Sequence, residues 1–328
     1  MTVISPTTSF TRFLTSRVRL DPQETATARG SRDWLLDQIT RIAADPAHPL
    51  PELHPDRVEY FGSFARRTKP RELDDIDLMV LLHARGSTHE HLGGNQYAVY
   101  PGGPLTQFST DGRTLNSRVV VNTFVQALKG VHQYRSSMVN RRQQAAVLRL
   151  TTRPWAFDVV PGFMMEADDA GIHHYLIPDG QGHWMRTNPL IDKKRVSDVN
   201  QVHLGAVLDV VRLVKWWAKR QRGLKIGSYL LEAILIQHFE IQPRRVTYRV
   251  DVEFSGALRA VSQAILYTVP DPKGIVPDIN TVLLTDRMQY AQAFEAAHRK
   301  AEAALLAITP ERARVAWGDL LGQDFLDA

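Results

Sequence analysis

Two aspartates separated by one residue stand at the start of an apolar stretch of the chain. Asp75 and Asp77 begin the run DIDLMVLL (75–82), whose composition is typical of a buried β-strand. Side chains alternate across a strand, so both carboxylates project from one face, while Ile76 and Leu78 project from the other. Adjacent carboxylates repel each other, and hard divalent cations such as Mg²⁺ relieve that repulsion. The spacing therefore predicts a metal site on this strand.

A Gly-Ser pair precedes these aspartates. Gly62 and Ser63 are followed by eleven residues and then by Asp75. Glycine allows a tight turn between a predicted strand at 58–62 and a predicted short helix at 63–68. Ser63 then lies at the helix N-terminus, where free N–H groups and the helix dipole favour a phosphate. The pair predicts a phosphate-binding turn.

A third carboxylate lies in a later apolar run. Asp158 is the one acid in FDVVPGF (157–163), and a charge there is costly unless something pairs with it. We expect it to be the third metal ligand, from a neighbouring strand. Each feature alone has an ordinary alternative: Gly-Ser is a common turn, Asp-x-Asp is common at exposed strand ends, and Asp158 could cap a strand or bind an arginine. Their combination is specific, and it favours metal-dependent phosphoryl chemistry.

Composition excludes several other classes of protein. The 328 residues include 40 Lys and Arg, 35 Asp and Glu and no cysteine, for a net charge of +5. Without cysteine there is no disulfide framework, no Cys-ligated zinc and no thiol nucleophile. We see neither a secretory signal nor an apolar stretch near the roughly 20 residues of a membrane span. We therefore expect a cytoplasmic protein with no membrane partner.

The periodicity predicts an α/β (α+β) chain whose front half is mixed and whose back half is helical. The front elements are a helix at 24–44, strands at 58–62, 75–82, 145–150 and 157–163, a helix at 116–134 and a hairpin within 173–189. Residues 83–113 are predicted to be a long surface loop that lies over a site. A long helix is predicted to start near Lys193 or Ser197 and to run through 204–222, with further helices at 228–239, 256–266, 286–308 and 309–321. The predicted domains are 1–190, including an N-terminal helix, and 191–328.

The Gly-Ser pair, the eleven-residue interval, the Asp-x-Asp strand and the later strand aspartate resemble the nucleotidyltransferase superfamily related to DNA polymerase beta. The segments FGSFARRT, DDIDLMVLL, FDVVPGF, LVKWW and GSYLLE are similar to those of the bacterial cGAS/DncV-like nucleotidyltransferases, the CD-NTases. The match runs from about Tyr60 to Glu232. It implies a polymerase-beta-like core with a mixed sheet and a mostly helical C-terminal lobe that completes the nucleotide pocket.

The resemblance also implies an activity and its site. CD-NTases make cyclic or short linear oligonucleotide second messengers from NTPs in CBASS anti-phage defence, by two-metal phosphoryl transfer with release of pyrophosphate. Asp75, Asp77 and Asp158 match the catalytic triad that binds two Mg²⁺ ions, for which Mn²⁺ can substitute. Gly62 and Ser63 match the motif that holds the donor triphosphate.

Three residues of the helical half complete the implied nucleotide site. Lys215 matches a lysine that contacts phosphates, Ser228 a serine that hydrogen-bonds them, and Tyr229 an aromatic residue that stacks on a base. Each also has an ordinary alternative, respectively a solvated helix lysine, a helix N-cap and a core residue. Trp216 and Trp217 are predicted to be packing residues.

The resemblance implies a separate effector that binds the product, and regulatory proteins that act on the C-terminus. Activation by DNA is not expected, because the chain lacks the Cys-rich zinc insertion of cyclic GMP–AMP synthase. Two alternatives stay open. One is a nucleotidyltransferase with another acceptor, such as an RNA 3′ end, a protein or an aminoglycoside. The other is a non-catalytic protein that binds nucleotides or RNA.

Overall fold

A computed structural model describes residues 6–48, 50–243 and 248–328 of the chain. In these residues the fold combines helices with one large sheet. The α-helices of this part of the chain are α1 Pro6–Phe13, α2 Pro22–Ala43, α3 Gly62–Ala65, α4 Ser117–Gly130, α5 Pro189–Val202, α6 Val207–Arg220, α7 Ser228–Glu240, α8 Val250–Ala264, α9 Leu284–Leu305, α10 Pro310–Leu321 and α11 Gln323–Leu326. The strands are β1 Leu53–Tyr60, β2 Asp75–Leu82, β3 Thr88–Gly93, β4 Gln96–Tyr100, β5 Met138–Arg142, β6 Ala145–Arg149, β7 Ala156–Ala167, β8 His173–Pro178 and β9 Trp184–Thr187. Among the described helices, none is both long and apolar enough to cross a membrane.

The chain divides into two compact units. The sheet unit comprises residues 22–65 and 73–192, and the helical unit comprises residues 1–21, 66–72 and 193–328. The short segment 66–72 thus belongs to the helical unit, although it is flanked in sequence by parts of the sheet unit. The division of the chain into domains 1–190 and 191–328 stays a prediction.

The sheet unit contains every described strand. The strand order is β1-β2-β7-β8-β9-β4-β3, with β6 added beside β7 and β5 beside β6. Strands β2 and β7 run parallel, whereas β1, β6 and β8 each run antiparallel to their neighbours. The sheet is therefore mixed, and α4 packs on it with Val121, Phe124 and Leu128 fully buried.

The helical unit is built around aromatic pairs. The Phe13 and Trp216 rings meet edge to face with centroids 5.0 Å apart, and Phe10 meets Trp317 in the same way at 4.9 Å. Trp217 packs against Phe294 at 5.2 Å. Such rings combine large buried apolar area with a favourable edge-to-face geometry. The prediction that Trp216 and Trp217 are packing residues is confirmed by their burial.

The predicted long surface loop at 83–113 is wrong, because this segment contains a β-hairpin. Strands β3 and β4 pair antiparallel, and β4 continues the sheet by pairing with β9. All six residues of β3 are exposed, so its sequence lacks the alternation of apolar and polar residues that predicts a strand. Strand β5, which pairs with β6, was also not predicted.

The single long helix predicted from near Lys193 or Ser197 is wrong, since α5 ends at Val202 and α6 begins at Val207. The interruption lies at Leu204 and Gly205, whose φ angles are 56° and 90°. Such left-handed residues end a helix, and glycine adopts that conformation without steric cost.

Trp217→Ala should lower the free energy of unfolding by about 3–5 kcal/mol, because it removes a buried ring and leaves a cavity against Phe294. Leu306→Ala is the control, since Leu306 is 82% exposed and its loss should change stability by no more than about 0.5 kcal/mol. Urea unfolding followed by circular dichroism measures both. Equal effects of the two substitutions would contradict the described core.

Candidate active site

The parallel pairing of β2 with β7 brings carboxylates of distant segments side by side. The strand register sets Asp77 opposite Asp158, and Asp75 opposite Ala156. Neighbouring strands lie about 4.8 Å apart, so the Asp77 and Asp158 side chains start from backbone positions that are next to each other. Asp75 is two residues from Asp77 on the same strand and therefore shares its face.

The residues that alternate with the aspartates along β2 and β7 are buried, and they define the opposite face of the two strands. Ile76, Leu78, Phe157 and Val159 have at most 1% of their surface exposed, and they occupy the interior face of the two strands. The aspartates on the opposite face are half-buried. The apolar residues thus set the orientation of the acids, because a slip of one residue in either strand would bury a carboxylate and expose a large apolar side chain.

Gly62 is the backbone element that lies against this acidic face. Strand β1 runs antiparallel to β2 with Tyr60 opposite Leu78, so the chain that leaves β1 passes beside Asp77. A Cβ atom on Gly62 would lie 1.7 Å from the Asp77 Oδ2 atom. Gly62 also has a φ of 72°, and it starts the four-residue helix α3, which contains Ser63. Only glycine satisfies both the close approach and the left-handed backbone.

The donor chemistry of this face fits a divalent cation. Three carboxylates share one face, the Oδ1 atom of Asp75 is shielded from solvent, and the Asp77 Oδ2 atom lies against the backbone of Gly62. Oxygen ligands of this kind are those that Mg²⁺ prefers. Within the described ranges, no three His, Asp or Glu side chains already have the geometry of an assembled metal site. Binding of metal by these three aspartates stays a prediction.

Lys215 lies in the interior of the helical unit. Its Nζ atom donates a hydrogen bond to the Glu232 Oε2 atom at 2.8 Å, and only 4% of either side chain is exposed. Burial lowers the pKa of the Lys215 ammonium, while the Glu232 carboxylate acts in the opposite direction. The alternative of a solvated helix lysine is thereby excluded. Contact of Lys215 with phosphates stays a prediction.

Glu232 receives two further donors. The Arg66 Nε atom lies 2.5 Å from the Oε1 atom, and the Thr68 Oγ1 atom lies 2.5 Å from the Oε2 atom. Burial opposes ionisation of Glu232, but the positive charges of Lys215 and Arg66 outweigh it and lower its pKa to about 2. The carboxylate is therefore ionised at neutral pH. We call Glu232, Arg66, Thr68 and Lys215 the Glu232 cluster.

Ser228 and Tyr229 form the first turn of α7. The N-cap of α7 is Gly227, and Ser228 is the first residue inside the helix, so the alternative of Ser228 as N-cap is excluded. The Ser228 side chain is exposed. The Tyr229 hydroxyl donates to the Asp271 Oδ1 atom at 3.3 Å and accepts a hydrogen bond from Lys273. The Lys273 Nζ atom also lies 4.2 Å from the centre of the Tyr229 ring. Tyr229 is half-buried rather than part of the core.

The residues predicted from the sequence fall into two groups. The structure brings Gly62, Ser63 and the three aspartates together in the sheet unit, and it places Lys215, Ser228 and Tyr229 in the helical unit. The remaining members of the Glu232 cluster were not predicted. A signal for Glu232 was available, because this acid interrupts the apolar run LLEAILI (230–236) as Asp158 interrupts its own strand.

Comparison with known proteins identifies the family. The chain is 36% identical over 277 residues to a probable cyclic nucleotide synthase of Bacillus cereus strain VD146, and the match covers 84% of this chain and 82% of that protein. No family model matches the sequence. The chain belongs to the CD-NTases. The CD-NTase family was predicted from the motifs, and that prediction is confirmed.

Solved structures show the CD-NTase fold directly. The chain resembles CdnC of E. coli MS115-1 in its complex with HORMA-deltaN, with a TM-score of 0.70, 16% sequence identity and 98% coverage of both chains. The structure of CdnC with ATP gives a TM-score of 0.69 at 16% identity, with 98% of this chain and 99% of that chain covered. The predicted α/β fold is confirmed, and this CD-NTase is a nucleotidyltransferase.

Gly62→Ala should abolish nucleotidyl transfer, because the added Cβ displaces the Asp77 carboxylate from its position. We expect a rate loss of about 100-fold or more. Gly112→Ala is a matched control: Gly112 has the same φ of 72° but no atom within 4 Å of an added Cβ. Both substitutions should cost about 1–2 kcal/mol of backbone strain. Pyrophosphate release measures activity, and equal losses of activity in the two variants would contradict the role of Gly62.

Glu232 should make stability depend on pH in the acid range. Its pKa is lowered from 4.5 to about 2, so its contribution is fully present above about pH 5 and is lost as the pH falls towards 2. Glu232→Gln mimics the protonated form. The stability difference between wild type and this variant should therefore be smaller at pH 3 than at pH 6, by about 2 kcal/mol. Urea unfolding at both pH values tests this, and a pH-independent difference would contradict it.

Proposed function

We propose that this CD-NTase joins NTPs into a cyclic or short linear oligonucleotide second messenger and releases pyrophosphate, as part of CBASS anti-phage defence. The observation that carries the proposal is the acidic face of β2 and β7, on which Asp75, Asp77 and Asp158 lie, with the backbone of Gly62 against Asp77. Membership of the family agrees with it, since the curated relative is named a probable cyclic nucleotide synthase.

Each residue of the acidic face has a distinct task in this proposal. Asp75 and Asp77 would hold the cations, and Asp158 would be the third ligand and would accept the proton of the acceptor hydroxyl. Gly62 and Ser63 hold the donor triphosphate. The chemistry that two bound Mg²⁺ ions supply, with Mn²⁺ as a substitute, is activation of an acceptor ribose hydroxyl and neutralisation of charge on the phosphates.

The bonds exchange at the α-phosphorus of the donor nucleotide. The acceptor hydroxyl oxygen forms a bond to this phosphorus, and the bond from the phosphorus to the oxygen that bridges to the β-phosphate breaks. Pyrophosphate leaves with that electron pair, and the hydroxyl proton passes to Asp158. For a cyclic product, the linear intermediate then turns so that its other end occupies the donor position.

The helical unit contributes the other nucleotide contacts in this proposal. Lys215 and Ser228 bind phosphate oxygens, and the half-buried ring of Tyr229 stacks on a base. The structure of CdnC with ATP supports an NTP as substrate for this relative. The complex of CdnC with HORMA-deltaN supports a regulatory protein as partner. We further propose a cytoplasmic location and a separate effector that binds the product.

A product assay tests the proposed function. Purified protein is incubated with all four NTPs and with Mg²⁺ or Mn²⁺, treated with phosphatase and analysed by mass spectrometry. We expect a phosphatase-resistant cyclic oligonucleotide that is absent with Asp75→Ala/Asp77→Ala, because this double variant removes two metal ligands. Asp74→Asn is the control, since Asp74 is an exposed acid just outside β2. Transfer to added RNA or protein without a nucleotide product would favour the alternative acceptors, and tight Mg²⁺-independent binding of NTP without turnover would favour a binding protein.

Asp158→Asn separates the task of Asp158 from those of the other two aspartates. Removal of a ligand and proton acceptor should lower the rate of pyrophosphate release by about 100-fold or more. A variant with full activity, beside an inactive Asp77→Asn, would show that Asp158 has no catalytic role.

A further inference from the structure

Glu232 concentrates three donors on one buried carboxylate. Arg66 and Lys215 supply two positive charges, and Thr68 supplies a hydroxyl, all at 2.5–2.8 Å. At most 8% of any of the three charged side chains is exposed. Removing the carboxylate would leave two buried cations facing each other, which is a strongly unfavourable arrangement. The position of each cation therefore depends on Glu232.

The Glu232 cluster lies among residues of the helical unit to which the proposed function assigns nucleotide contacts. Arg66 directly follows the Gly62–Ala65 helix in sequence, and Lys215 is the proposed phosphate-binding lysine of α6. Glu232 lies on α7, four residues after Ser228 and three after Tyr229, and residues at these spacings share a helix face. The Arg66 guanidinium carbon also lies 5.8 Å from the centre of the Tyr229 ring.

The cluster holds two cationic side chains in fixed positions, which suits a site for an anion. Both Arg66 and Lys215 pair with the same buried carboxylate. The carboxylate holds Arg66 and Lys215 together against their mutual repulsion. A triphosphate binds best to cations that are already held in place, because binding then loses no conformational entropy of the cationic side chains.

We propose that Glu232 is a positioning residue for the donor nucleotide. It holds Lys215 and Arg66 in place and touches no substrate itself. This inference rests on the proposed function of the same site. Groups that hold the triphosphate act in the ground state and in the transition state alike. Loss of Glu232 should therefore raise KM for NTP more than it lowers kcat.

The test compares substitutions of two glutamates on the same helix. Glu232→Gln should raise KM for NTP by about tenfold or more and change kcat less. Glu232→Asp keeps the charge and should recover part of the loss. Glu240→Gln is the matched control, because Glu240 pairs with Arg195 at the surface of α7 and lies outside the cluster. Thermal unfolding of each variant checks that it is folded at the assay temperature.

Thr68→Val keeps the test decisive if Glu232→Gln does not fold. It removes one hydrogen bond from the Glu232 Oε2 atom without a change of charge, and it should raise KM by a smaller factor than Glu232→Gln. A merely structural role predicts lower thermal stability with unchanged KM. Folded Glu232→Gln or Thr68→Val protein with wild-type KM would overturn the inference.

Binding of α,β-methylene-ATP, followed by calorimetry, separates failure of this inference from failure of the proposed function. If wild-type protein makes no product but binds the analogue, and Glu232→Gln binds it at least about tenfold more weakly, Glu232 positions a nucleotide while the proposed reaction is wrong. Equal binding by both proteins overturns the role of Glu232 alone. Absence of binding by the wild type overturns both.

Discussion

The parallel register between β2 and β7 is the constraint on which the candidate active site depends. It sets Asp77 opposite Asp158, although 80 positions of sequence separate the two residues. The register is held by the apolar residues of the same strands, since Ile76 and Leu78 share the interior with Phe157 and Val159. The packing energy of the interior thus holds the acids together on the other face, where their repulsion would otherwise keep them apart.

The two compact units differ in how their charged side chains are arranged. On the acidic face of the sheet unit, half-buried carboxylates stand together beside a glycine, which is an arrangement suited to cations from solution. In the helical unit, Glu232 pairs with the two buried cations Arg66 and Lys215. Under the proposed function, the sheet unit supplies oxygen ligands to metal and the helical unit supplies fixed cations to phosphate. Nucleotidyl transfer requires both kinds of group.

The sequence revealed the acidic face because its residues carry local signals. Asp75 and Asp77 alternate with apolar neighbours, Asp158 interrupts an apolar strand, and Gly62 lies at a fixed distance before them. Strand β3 was missed because its residues are all exposed, so burial imposes no pattern on them. The partners of Glu232 were missed for another reason. Arg66 and Thr68 meet Glu232 across more than 160 positions, and no local periodicity records such a contact.

A crystal structure with α,β-methylene-ATP and Mn²⁺ tests the central claim most directly, because anomalous scattering locates the metal independently of the protein. The account predicts anomalous peaks within coordination distance of the Asp75, Asp77 and Asp158 carboxylates, with the triphosphate beside Gly62 and Ser63. A triphosphate bound elsewhere, or Mn²⁺ bound away from these aspartates, would contradict the account.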